Sequence, residues 1–291
     1  MYSTLISASD LQQLMTSDQP WLVMDCSFDL MNPDSGRQQF EAQHIPGAVY
    51  VHLDDHLSDK TGPDRASGGR HPLPSRETFA ARLRALGLRN GQQAVVMERQ
   101  GASQCGRLWW MLKWCGHEAV AVLDGGLAAW QAAGGALASG PSPATAAPQH
   151  FELKPPLVNV LGAQDLARRL GHPDLTVIDA RAAARFRGEV EPLDPVAGHI
   201  PGALNRPFID NMAPDGRFKP AAELRAEFER LLAGRDPATV VHQCGSGVSA
   251  IPNLLAMEIA GLGRSALFPG SWSEWCNTPG LPCARDQVLA V

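Results

Sequence analysis

The sequence predicts an α/β protein that contains one domain twice, each copy a mostly parallel central sheet flanked by helices. Three observations carry that prediction: a five-residue block that recurs unchanged, weaker matches collinear with it, and β-type apolar runs alternating with helical patterns. His44-Ile45-Pro46-Gly47-Ala48 returns as His199-Ile200-Pro201-Gly202-Ala203, an offset of 155 residues. Ahead of each block stands an apolar run closing on aspartate, Leu22-Val23-Met24-Asp25 and Thr176-Val177-Ile178-Asp179, at an offset of 154. Further on the offset settles at 145, where Val95-Val96 matches Val240-Val241 and Gly125 with Trp130 matches Gly270 with Trp275. A length of 291 residues suits two such domains. Between them, the small residues and three prolines of Ala138 to Pro148 cannot build a core and read as an extended spacer. The expected division is a first domain over 1–138, a linker over 139–152 and a second domain over 153–291.

In the second copy, Ala163 to Leu170 reads as a helix and Thr176 to Ile178 as a buried strand. Pro220 to Leu232 follows as an amphipathic helix whose apolar stripe is Leu224, Phe228, Leu231 and Leu232. Ala238 to Val241 is the next strand, and a helix is expected from about Val248 to Ala260. Trp109, Trp110, Trp130 and Trp275 read as core. His44 and His199 stand in both copies, which marks them as turn-building residues rather than participants in chemistry.

Composition narrows the function. The chain is 44% hydrophobic and 19% charged with a net charge of −5, so it has core enough to fold and no basic stripe for nucleic acid. The cluster Arg82-Leu83-Arg84 reads as the outer face of a helix. No apolar run reaches the ~18–20 residues that span a bilayer, and Met1 to Ile6 lacks the basic start of a signal peptide. Cysteines at 26, 105, 115, 244, 276 and 283 form no C-x-x-C pair. They read as reduced thiols of a cytoplasmic protein, with no metal and no cofactor expected.

One cysteine stands apart. The strand ending at Val241 opens into His242-Gln243-Cys244-Gly245-Ser246-Gly247-Val248-Ser249-Ala250 and then helix. In parallel α/β sheets ligands bind beyond the carboxyl ends of strands. Inward-pointing amides and a nearby helix start favour a thiolate there. In the first copy the matching position is Arg99, within Glu98-Arg99-Gln100-Gly101-Ala102. This suggests that one copy carries chemistry and that the other has become scaffold or interface.

These motifs, with Leu123-Asp124-Gly125-Gly126, Arg185-Phe186 and Gly270-Ser271-Trp272-Ser273-Glu274-Trp275, resemble the tandem rhodanese-like sulfurtransferases. That family comprises thiosulfate and 3-mercaptopyruvate sulfurtransferases. The resemblance implies two rhodanese-like domains and a sulfurtransferase in which Cys244 carries a sulfane sulfur as a persulfide. Thiosulfate enzymes carry Arg and Lys after the cysteine, whereas mercaptopyruvate enzymes carry Cys-Gly-Ser-Gly-Val-Thr. Cys244 to Ser249 is similar to the latter, with Ser249 in the threonine place. Gly245, Gly247, Val248 and Ser249 would line the donor, and Arg185 would hold its carboxylate.

The family's second arginine, in a Pro-Glu-Pro-Arg stretch, is absent from Glu191-Pro192-Leu193-Asp194-Pro195, which leaves Arg181 and Arg187 as stand-ins. The resemblance also implies a proton relay from Ser246 through His71 and Asp54 of the first domain. The expected partners are a small sulfur donor and an acceptor thiol, such as that of a thioredoxin-like protein, or cyanide. Nucleic acid and membrane are not expected as partners. Two other readings stay open, a thiosulfate:cyanide sulfurtransferase and a non-catalytic sulfur-carrier or interaction module. A Cys-x5-Arg phosphatase loop is disfavoured because position 250 is alanine.

Overall fold

The computed structural model describes residues 1–142 and 149–285, so most of the proline-rich part of the expected linker, 143–148, lies outside the described residues. The contacts divide the chain into two units. Unit 1 comprises Met1–Ala66, Leu73–Val158 and Met212–Phe218; unit 2 comprises Ser67–Pro72, Asn159–Asn211 and Lys219–Val291.

Unit 1 holds strands β1 (Leu5–Ile6), β2 (Trp21–Asp25), β3 (Val49–Tyr50), β4 (Gln93–Met97) and β5 (Val120–Leu123). Unit 2 holds β6 (Asn159–Val160), β7 (Thr176–Asp179), β8 (Leu204–Asn205), β9 (Val240–Gln243) and β10 (Ala266–Leu267). The sheets are ordered β1-β5-β4-β2-β3 and β6-β10-β9-β7-β8, the same topology twice. All their pairings are parallel, with Val23 opposite Val95 and Val177 opposite Val241. Central strands of such sheets are covered on both faces, so Val95, Val96, Val240 and Val241 are all buried. Trp109, Trp110, Trp130 and Trp275 are buried as well.

The repeated block does the same work in both units. His44 Nδ1 lies 2.7 Å from the Phe40 carbonyl and His199 Nδ1 lies 2.8 Å from that of Phe186. Each imidazole stacks on that phenylalanine with ring centroids 4.0 Å apart. The two histidines are satisfied core residues.

Several boundaries move from their expected places. The helix after Gly162 covers Ala163–Arg168, and the next strand runs one residue longer, to Asp179. Leu224, Phe228 and Leu232 of the helix Ala221–Leu232 are buried, while Leu231 is half-buried at the edge of the stripe. Asp236 caps a short turn over Pro237–Thr239 by accepting from Ala238 N, which delays the strand to Val240. The helix expected from Val248 begins at Ile251 and ends at Ile259.

Segment 149–158 is packed in unit 1. Phe151 is fully buried, and Leu157 N donates to the Lys113 carbonyl at 3.0 Å. Arg82 and Arg84 also differ from the expected solvated face. Arg82 donates to the Ser58 carbonyl at 2.7 Å and Arg84 to that of Phe151 at 3.0 Å. No helix among the described residues is long and apolar enough to cross a membrane.

Candidate active site

The carboxyl end of β9 delivers Cys244 into a loop that is pinned from one side by the turn at Gly270 into the short helix Ser271–Trp275. Cys244 N donates to Ser271 Oγ at 3.1 Å, and Ser271 Oγ in turn donates to the Phe268 carbonyl at 3.0 Å. The Cys244 carbonyl accepts from Trp272 N at 3.0 Å and that of Gly245 from Ser273 N at 2.9 Å. Gly247 has φ +74°, and a Cβ there would run into the Pro269 carbonyl, so the loop can curl this tightly only with glycine. That curl, which carries the chain through 244–250 before helical bonding starts, explains the late helix. Cys244 itself is buried, at 1% exposure.

The same turn receives a second piece of chain. Arg70 N donates to Ser273 Oγ at 3.0 Å. Gly69, with φ +83°, lies against the Gly270 carbonyl where no side chain fits. This strap, Ser67–Pro72, sets two side chains beside the cysteine loop. His71 Nδ1 lies 2.8 Å from Ser246 Oγ, and both residues are buried. A Cβ on Gly245 would stand 2.9 Å from Arg70 Nη2 and 3.5 Å from Arg185 Nη1, so two guanidinium groups lie over that glycine.

Arg70 is the residue that sequence reasoning missed. The expected stand-ins are engaged elsewhere, which corrects that expectation. Arg181 is buried, forks onto Asp179 at 2.6 and 3.0 Å, and lies over the Trp272 ring at 4.8 Å. Arg187 pairs with Glu189 at 2.6 Å on the surface. Arg70 stands 174 positions before Cys244, and no local motif links the two.

The arginines are met by acids. Arg185 Nη2 donates to Glu191 Oε1 at 2.6 Å and lies 3.5 Å from Asp194 Oδ2. Arg70 Nη1 pairs with Asp194 Oδ1, and Arg181 Nη1 lies 3.4 Å from Glu191 Oε2. Burial alone would raise the Glu191 carboxyl, but the Arg185 hydrogen bond and the amides of Leu193 and Asp194 hold it below the usual range. Of the other expected site residues, Val248 is buried and Ser249 half-buried beyond Gly247. Asp54 belongs to unit 1, where Lys60 Nζ lies 2.8 Å from its carboxylate. No cluster of three metal-ligating side chains occurs among the described residues.

In unit 1 the matching loop is filled differently. Arg99 turns away to Asp25 at 2.9 Å and Ser27 at 2.6 Å. Glu98 is buried and accepts from the amides of Ser103, Gln104 and Cys105 at 3.0, 2.7 and 2.8 Å. An internal carboxylate thus fills the amide nest. Burial pushes Glu98 up to about 7 despite those bonds. At the matching place unit 2 has neutral Gln243, fully buried, whose side-chain amide has no hydrogen-bond partner among the described residues.

The rhodanese-like domain family matches the chain over residues 7–133 and 162–278. A Pseudomonas aeruginosa protein, provisionally named a 3-mercaptopyruvate sulfurtransferase, is 44% identical over 285 residues, covering 97% of this chain and 98% of its own. A Mycobacterium tuberculosis protein, provisionally named a thiosulfate sulfurtransferase, is 38% identical over 294 residues, covering 98% of each chain. The structure of 3-mercaptopyruvate sulfurtransferase from Leishmania major superposes with a TM-score of 0.82 at 28% identity, covering 96% of this chain and 76% of that one. With one parallel-sheet domain repeated and both copies matched, the chain belongs to the rhodanese-like family. Within that family it is a sulfurtransferase.

Proposed function

We propose that the protein moves the sulfur of 3-mercaptopyruvate to an acceptor thiol through a persulfide on Cys244. The observation that carries this reading is the pairing of two arginines over Gly245 with a Ser246–His71 contact, all around one cysteine loop. Arg70 and Arg185 bind the donor carboxylate, and the short Gly245 leaves it room. The Cys244 thiolate attacks the donor sulfur; an S–S bond forms, the C–S bond breaks, and its electron pair leaves as pyruvate enolate. Ser246, in contact with His71, delivers the proton that the enolate takes up. Asp54 is assigned to the same relay on family resemblance. Loop amides hold the persulfide anion. An acceptor thiolate then attacks the outer sulfur and Cys244 returns as thiolate. A dithiol of a thioredoxin-like protein fits as acceptor, cyanide as its laboratory substitute, and the cytoplasm as the setting.

A thiosulfate reading is favoured by the two guanidinium groups and by the naming of the mycobacterial relative. The deciding experiment compares kcat/KM for both donors in wild type, Arg185→Ala and Arg70→Ala, with intact-protein mass spectrometry after donor alone. A mercaptopyruvate preference that collapses in both variants, with one sulfur added to Cys244, supports the proposal. A thiosulfate preference overturns it.

A further inference from the structure

We propose that Asp194 sets the charge class of the donor, making the site select singly charged anions over dianions. This rests on the reading of the Cys244 loop as the donor site. The Asp194 side chain is 3% exposed and bridges the two arginines that lie over Gly245, Arg70 on one oxygen and Arg185 on the other. Glu191, equally buried, takes the Nε–Nη2 edge of Arg185, leaving Nη1 over Gly245, and touches Arg181, which is itself neutralised by Asp179. Three guanidinium groups therefore face three carboxylates, and the cluster as a whole is neutral.

A site built to hold a dianion would leave cationic charge unpaired. Here the side-chain donors that stay open are Arg70 Nη2 and Arg185 Nη1, which lie over Gly245, together with the buried Arg70 Nε, which has no acceptor among the described residues. Open N–H groups in a charge-balanced cluster call for acceptor oxygens, which one carboxylate supplies without a second negative charge. An α-keto acid brings a single carboxylate and a neutral carbonyl, and meets that demand. Thiosulfate would bring two charges against a cluster already balanced. Because Coulomb energy scales with the product of the charges, one added positive charge changes log affinity for a dianion twice as much as for a monoanion. Asp194→Asn keeps the shape and adds that charge.

The test measures binding of pyruvate and of thiosulfate by calorimetry in the full-length Cys244→Ser protein, first alone and then with Asp194→Asn or Asp194→Glu added. Asp194→Asn is expected to tighten thiosulfate by roughly the square of the factor by which it tightens pyruvate, for example about ninefold against threefold. Asp194→Glu retains the charge and is expected to keep the preference for pyruvate. Equal factors for the two anions, or no tightening of thiosulfate, overturns the role of Asp194. Because no turnover is involved, failure of wild type to use 3-mercaptopyruvate would defeat the donor reading while leaving this test decisive.

Discussion

At the scale of single residues, the proposed site divides into groups that would touch the donor and groups that hold them in place. Cys244→Ser is expected to abolish sulfur transfer while leaving the protein folded, at a stability cost of no more than about 1–3 kcal/mol for placing a hydroxyl where a buried thiol stood. Thermal melting together with a turnover assay checks this, and residual donor-dependent activity would defeat the persulfide route. The competing thiols are disarmed by their surroundings. Burial, then neighbouring acids, pushes Cys26 and Cys105 well above the ordinary thiol range, and burial lifts Cys115 to about 12 and Cys276 to about 11. Persulfide found on any of these after brief exposure to donor would count against Cys244 as the acceptor.

At the scale of elements, the turn at Gly270 into the short helix Ser271–Trp275 clamps the cysteine loop and the strap Ser67–Pro72 together through Ser273, whose N–H and Oγ serve one each. Gly69→Ala forces a side chain toward the Gly270 carbonyl at φ +83°. It is expected to lower kcat/KM by at least about tenfold through misplacement of Arg70 and His71, and to lower the melting temperature as well, because alanine is strained at that φ. An unaltered kcat/KM would show that the strap tolerates displacement. The Cys244 loop and the repeated His-Ile-Pro-Gly-Ala block were legible in the sequence because a strand end and a tight turn are local matters of a few residues. Arg70 was not, because its place depends on a strap that meets the loop only after folding. The start of the helix at Ile251 was misplaced for a related reason. Helix propensity near Val248 is overridden by the curl at Gly247, which sequence periodicity does not register.

At the scale of the whole molecule, the duplicated loops differ in that Glu98 occupies the amide nest of the first, while neutral Gln243 stands at the matching place of the second. Arg99→Cys in the Cys244→Ser protein is therefore expected to restore no sulfur transfer. It should also cost about 3 kcal/mol, because buried Asp25 loses its partner. Sulfur transfer by that double variant would show that Glu98 leaves the first loop accessible. Glu98 and His242 also give stability an opposed pH dependence. Glu98 is raised from 4.5 to about 7, so its contribution is present below 4.5 and lost as pH rises through 7. His242 is lowered from 6.5 to about 3 by burial and then Arg206, so its contribution is present above 6.5 and lost as pH falls toward 3. Glu98→Gln should thus raise the melting temperature at pH 8, by on the order of 1–3 kcal/mol in stability, with little effect at pH 4. An equal effect at both pH values would exclude titration of Glu98 as the cause.

The strap has a consequence for how such a gene can be inherited. Arg70 and His71 are encoded in the first copy, yet they stand in the unit that holds Cys244. A descendant that kept only the second copy would retain its sheet and its cysteine but lose the guanidinium of Arg70 beside Gly245 and the His71 partner of Ser246. The two repeats thus form a single hereditary unit that recombination cannot divide without loss.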